Sequence, residues 1–156
     1  MRVALFADVQ NIYYTTRQTF GRQFNYRALW EAIEKRAEIV TAIVYATDRG
    51  DSSQQRFQSA LRHIGFEVKL KPFIQRSDGS AKGDWDVGIT IDVLEYAAQV
   101  DRVILLSGDG DFAILLQTIA AKWGVESEVF GVRALTADAL VQAATEFHPI
   151  DESLLI

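Results

Sequence analysis

The sequence predicts a three-layer α/β domain, with helices on both faces of a mainly parallel sheet of about five strands. Two patterns carry that expectation. Short apolar runs rich in β-branched residues alternate with segments of helical period, which implies parallel crossovers. No repeat, linker or composition break divides the 156 residues, so one domain over 1–156 is expected. A hydrophobic fraction of 49% suits a packed core rather than a disordered or low-complexity chain.

The first strand is the apolar run Arg2 to Ala7, closing on Asp8-Val9-Gln10-Asn11. A helix through Tyr13 to about Thr19 follows and is broken at Phe20-Gly21-Arg22. Asn25 is a cap for the next helix, whose apolar positions Leu29, Trp30, Ile33 and Ala37 recur at helical spacing. Ile39 to Ala46 reads as the second strand. The turn at 47–52 leads to a helix with an apolar stripe at Phe57, Ala60, Leu61 and Ile64, ending at Gly65, and Phe66 to Ile74 alternates as a third strand. Gln75 to Gly83 is polar and glycine-bearing, a candidate lid. Beyond it the pattern predicts a helix over 84–99, a strand over 102–106, a helix over 112–123, a strand over 126–132 and a last helix over 136–146.

Composition narrows the chemistry. With no cysteine, disulfides, thiolate metal sites and thiol nucleophiles are excluded, and His63 and His148 are too few for a multi-histidine zinc site. Sixteen basic against 21 acidic residues give a net charge of −5, which argues against nucleic-acid binding through a global basic field but leaves room for a local patch. The longest apolar runs are too short for a membrane span, and Met1 to Asp8 shows no secretory signal, so a cytoplasmic location is expected.

In an open parallel sheet, ligands gather beyond the carboxyl ends of the strands, near a switch in strand order. The first strand delivers Asp8 there, with Asn11 three residues on. The run Val103 to Leu106 leads into Ser107-Gly108-Asp109-Gly110-Asp111-Phe112, which holds Asp109 and Asp111 at the same rim. Glycines 108 and 110 are expected to permit tight or left-handed backbone and to remove bulk in front of a ligand. If these two strands are neighbours, Asp8 and Asp109 converge. Asp86 opens the preceding helix and shares a face with Thr90, whereas Asp92 is rotated by roughly 240° and points elsewhere, into apolar surroundings where it needs a partner. Asp84, Asp86 and Asp111 fit equally well as helix caps when taken singly, and Asp109-Gly110 as a turn. Asp48 and Asp51 read as ordinary turn and cap residues. Together, carboxylates crowded at one rim raise one another's pKa unless a cation compensates them, and oxygen-only ligands favour Mg²⁺ or Mn²⁺. The reaction class that follows is metal-assisted phosphodiester hydrolysis.

The segments Phe6-Ala7-Asp8-Val9-Gln10-Asn11, Lys82-Gly83-Asp84-Trp85-Asp86-Val87 with Asp92, and Ser107-Gly108-Asp109-Gly110-Asp111-Phe112 resemble, in that order, the NYN domain family related to PIN nucleases. More narrowly, they are similar to its bacterial LabA/DUF88 branch. The resemblance implies a PIN-like, Rossmann-like α/β/α fold and a metal-dependent ribonuclease site. Asp8, Asp86, Asp109 and Asp111 match the acidic positions and Asn11 the polar one. One departure is Thr145, where the family often carries an acid before a final phenylalanine-containing strand.

On this reading Asp8 and Asp109 are the principal metal ligands, and Asp86 and Asp111 are further ligands or water-orienting groups. Asn11 partners an acid or a phosphate oxygen, Ser107 binds a nearby carboxylate, and Asp84 and Asp92 support the set. Lys82 and Arg76 are the phosphate contacts at the rim, while Lys69 and Lys71 fit a solvated strand edge better. Trp85 divides evenly between stacking on a base and packing into the core, as do Tyr13 and Tyr14. RNA, single-stranded or structured, is the expected partner; protein partners and a homodimer stay open. The rival reading is a non-catalytic RNA- or protein-binding adapter that retains the acidic pocket.

Overall fold

The computed structural model describes residues 1–72, 74–75, 81–82 and 84–156, with side chains for 1–71 and 84–156. Its central sheet has six strands: β1 (Arg2–Asp8), β2 (Glu38–Asp48), β3 (Glu67–Pro72), β6 (Arg102–Leu106), β7 (Glu126–Gly131) and β8 (Glu146–Pro149), in the order β3-β2-β1-β6-β7-β8. All five pairings are parallel. A separate antiparallel pair, β4 (Ile74–Gln75) and β5 (Ala81–Lys82), follows β3.

Strand β1 shows why the architecture has three layers. Val3, Leu5 and Ala7 point to one face and Ala4 and Phe6 to the other, and all five are fully buried. The first face packs on α1 (Val9–Phe20), α2 (Tyr26–Glu34) and α3 (Ser52–Ile64) through Ile12, Leu29, Ile33 and Leu61. The second packs on α4 (Asp86–Ala97), α5 (Ala113–Trp123) and α6 (Asp138–Ala143) through Ile89, Val93, Leu116, Ile119 and Leu140. No described helix is long and apolar enough to cross a membrane.

The elements follow the sequence pattern with informative departures. Asn25 and Asp51 cap α2 and α3, accepting the N–H of Ala28 and Gln54. Helix α1 starts at Val9, earlier than predicted, because Asp8 is itself its cap and accepts the Asn11 N–H. The predicted third strand divides, ending at Pro72 before β4. The predicted last helix is shorter, and the chain continues into a sixth strand that the count of about five omitted. Thr145 marks the change: its hydroxyl accepts the Ser127 N–H at 3.0 Å, while its own N–H donates to the Ser127 hydroxyl at 3.3 Å. These bonds take the backbone out of the helix and set β8 beside β7. Most of the lid candidate, including Arg76 and Gly83, lies outside the described residues, as does the Lys82 side chain.

Candidate active site

The strand order reverses between β1 and β6, where Ala7 pairs with Leu106, so the loops leaving these strands flank one crevice. Asn11 ties them together. Its N–H donates to Asp8 Oδ1 at 3.3 Å, and its side-chain Oδ1 accepts the Gly108 N–H at 2.9 Å. The residue expected to serve an acid or a phosphate oxygen therefore spans the crevice floor. Ser107 is fully buried, and its hydroxyl accepts the Asp109 N–H at 3.1 Å, a backbone partner in place of the expected carboxylate.

Asp109 in turn accepts the Asp111 N–H at 2.9 Å and caps the short 3-10 turn Gly110–Phe112. Neither Gly108 nor Gly110 has positive φ, so of the tight or left-handed backbone expected here it is the tight turn that forms. Steric fit to a neighbouring segment explains them. A Cβ on Gly108 would lie 2.7 Å from the Leu135 carbonyl oxygen, and one on Gly110 would lie 2.8 Å from Ala137 Cβ. The loop is pressed against residues 135–137, which fixes the two aspartates.

On the other side of the crevice, α4 begins at Asp86. Asp84 Oδ1 accepts the Asp86 N–H at 3.3 Å, so Asp84 orders the helix start, and the Thr90 hydroxyl donates to the Asp86 carbonyl at 2.7 Å. Carboxylate oxygens of Asp86, Asp109 and Asp111 lie within 4.8 Å of one another. Asp8 stands beside this trio, 8% exposed. Burial, only partly opposed by the Asn11 N–H and reinforced by the charges of Asp109 and Asp84, pushes its carboxyl up to about 6. Asp86 is pushed up to about 7, first by burial and then by the charge of Asp109 and a hydrogen bond shared with it, with Asp84 and Asp8 adding to the effect. Among the described residues, no lysine or arginine forms an ion pair with Asp8, Asp84, Asp86, Asp109 or Asp111.

Asp92, one helical turn and a half further on, faces away from the trio. It is 8% exposed and accepts from the Tyr45 hydroxyl at 2.8 Å and from Lys69 Nζ at 2.7 Å, both on Oδ2. Lys69 is thus paired rather than merely solvated. Trp85 donates its indole N–H to the Ala46 carbonyl at 3.0 Å, packs on Tyr45 with ring centroids 5.3 Å apart, and carries Lys71 Nζ 4.6 Å above its ring. That is the packing half of its two readings. Tyr13 and Tyr14, by contrast, are 45% and 51% exposed.

Sequence reasoning missed a second acidic group at the opposite edge of the sheet. Glu128, fully buried, accepts two bonds from Arg36, at 2.7 and 3.1 Å, and one from Arg102 at 3.2 Å, while His148 Nε2 lies 2.7 Å from its Oε1. Arg102 also pairs with Glu126 and Glu146, both at 3.3 Å. The one signal available was the pair Glu126 and Glu128, two acids at strand spacing in the polar first half of β7.

The doubly wound sheet with carboxylates at its switch point has the α/β/α layout of the PIN-like class. Within that class, the NYN domain profile matches residues 2–151, and this chain belongs to the NYN domain family. It is 33% identical over 129 residues to the low amplitude and bright protein LabA of Synechococcus elongatus, covering 78% of this chain and 69% of that protein, which sets it in the LabA-like branch. A crystal structure of a protein of unknown function from Vibrio parahaemolyticus is similar throughout. It is 47% identical, with a TM-score of 0.94 over 99% of this chain and 96% of that one.

Proposed function

We propose that this chain is a divalent-metal-dependent ribonuclease that hydrolyses RNA phosphodiester bonds at the β1–β6 crevice. The observation that carries the reading is the trio Asp86, Asp109 and Asp111, with Asp8 beside it, crowded and without a cationic partner among the described residues. Two of these acids are held above the usual carboxylate range by burial and by their neighbours' charge, a state that a bound cation relieves.

The donor set fits a hard cation: oxygen-only, close-set and open on one side. Asp86, Asp109 and Asp111 would hold Mg²⁺ or Mn²⁺, with Asp8 adding negative charge from the buried side. Bound there, the metal would supply Lewis acidity toward a phosphate oxygen and a lowered pKa for water. The chain's own residues do the rest. Asn11 and Ser107 fix the two loops, and Asp84 sets the start of α4, which together hold the four acids at one rim. Lys82 and Arg76 remain the proposed phosphate contacts.

The test is cleavage of end-labelled single-stranded and structured RNAs with Mg²⁺, Mn²⁺ or EDTA, wild type against a folded Asp8→Asn/Asp109→Asn protein. Metal-dependent cutting is expected, falling in the variant by at least about 10²–10³-fold, the scale of losing one preorganised electrostatic group. Cutting that survives the double substitution, or no cutting on any RNA despite metal binding, overturns the proposal; the second result favours the adapter reading.

A further inference from the structure

A cavity of about 530 Å³ opens beside the acidic crevice, on the α1–α3 face, between the first two turns of α1, the end of β2 and the start of α3. Its volume is within the range of small-molecule sites, roughly 300–1,000 Å³. None of the clustered acids lines it, yet its α1 wall begins at Val9 and Gln10, the residues directly after Asp8. Whatever occupies it is therefore next to the crevice.

The lining is aromatic and amide-bearing. Tyr14 and Phe57 are 51% and 39% exposed, and Tyr26, itself buried, packs edge-on against Phe57 with centroids 5.9 Å apart. Tyr13 stands edge-on to Tyr14 at 5.5 Å, with its hydroxyl accepting from Arg17 at 3.2 Å. Gln58 also lines the cavity. It is 6% exposed, and Thr47, 9% exposed and also in the lining, carries a buried hydroxyl oxygen that has no hydrogen-bond partner among the described residues. A buried hydroxyl without a partner is costly unless something entering the cavity completes its bonds.

We infer that this cavity is a nucleobase pocket: an unpaired base of the RNA strand stacks on Tyr14 or Phe57 and presents its edge to Thr47 and Gln58. A carboxamide offers both a donor and an acceptor, which suits a base edge, and exposed rings supply sequence-tolerant stacking. Arg17 on Tyr13 adds positive charge beside the cavity, where a phosphate backbone would run, while Arg49 and Asp51 of the lining offset each other. The inference rests on the RNA substrate proposed above and adds to it a requirement for single-stranded character beside the cut and a preference among bases.

Binding without turnover tests it separately. The Asp8→Asn/Asp109→Asn protein is titrated in EDTA against fluorescein-labelled octamers of A, C, G and U, followed by anisotropy. One base is expected to be preferred, and Gln58→Leu or Tyr14→Ala should each weaken that octamer about tenfold and flatten the preference. Leucine keeps most of the buried volume at 58, and Tyr14 is exposed, so the second variant carries the test if the first fails to fold. Equal affinity for all four octamers with no change in either variant, or no RNA binding at all, overturns the pocket. A base preference lost in the variants, alongside a wild type that cuts nothing, leaves the pocket standing and sinks the nuclease.

Discussion

The sheet carries acidic groups at both of its edges, and they obey opposite electrostatics. At the amino ends of β6, β7 and β8, Glu126, Glu128 and Glu146 gather around Arg102, with Arg36 and His148 completing the shell of Glu128. Burial pulls the Glu128 carboxyl upward, but the hydrogen bonds from Arg36 and His148 and the charge of Arg36 outweigh it, so Glu128 titrates below the ordinary range. At the carboxyl ends of β1 and β6, burial of Asp8 meets only one backbone N–H and further negative charge, so Asp8 titrates near 6. A buried carboxylate is thus uninformative alone; the sign of its pKa shift separates one neutralised by internal partners from one left without a counter-charge among the described residues.

The sharpest way to break this contrast is to make the paired edge resemble the unpaired one. Replacing both Arg36 and Arg102 by methionine leaves Glu128 buried against His148 alone. The expected loss is about 3–5 kcal/mol, the scale of removing the partner of a buried charge, read from the urea midpoint at pH 7. The pH slope should change with it. In wild type Glu128 contributes stability that is present above its unfolded pKa and lost as pH falls through its lower folded value. Without the arginines that contribution disappears, so the stability deficit narrows in acid. A double variant as stable as wild type at pH 7 would mean that the network is electrostatically idle.

The reverse change at the crevice should stabilise. Asp8 has a folded pKa of about 6 against an ordinary 3.8, so its contribution is favourable below about pH 4 and lost as pH rises through 6. Asp8→Asn stays neutral throughout and can still accept the Asn11 N–H. In EDTA at pH 8 it should gain about 2–3 kcal/mol over wild type, and near pH 4 almost nothing. Added Mn²⁺ should narrow or invert the difference, because the cation stabilises the fully acidic site preferentially. Thermal unfolding at the two pH values, with and without metal, reads all of this. A variant less stable than wild type in EDTA at pH 8 would refute the account of Asp8 as a strained acid.

How much of each edge was legible beforehand follows from how its residues are spaced. The crevice acids sit in short motifs directly after apolar strands, so Asp8, Asp109 and Asp111 reach one rim as soon as β1 and β6 are neighbours. The Glu128 network joins residues 36, 102, 128, 146 and 148, and no local period links them. Strand β8, which the family resemblance implied around Phe147, escaped the residue pattern for a related reason. Glu146 and His148 are polar, facing Glu128 and Arg102 rather than a core, and Pro149 ends the run, so four residues carry no apolar alternation. The glycines of the 107–111 loop were legible as a need for space, but not as contact with residues 135–137. Proximity across a fold is what one-dimensional patterns transmit least.

Asp92 tests the comparison from between its two ends, since it is as buried as Asp8 yet holds one cation and one hydroxyl. Both partners share Oδ2, and the Lys69 side chain is 34% exposed, so solvent screens part of its charge. Tyr45 is fully buried, which makes its hydroxyl dependent on this bond. Tyr45→Phe removes the hydroxyl and leaves the ring to pack on Trp85, so the cost should be about 1 kcal/mol, typical of one buried hydrogen bond. In a Lys69→Met background the same change should cost more, because Asp92 then keeps no partner among those two. A double-mutant cycle measures the coupling. Simple additivity would mean that water already serves Asp92, placing it with solvated acids rather than with Glu128; a coupled pair would place it with the finished contacts, leaving the crevice acids as the group without an internal counter-charge.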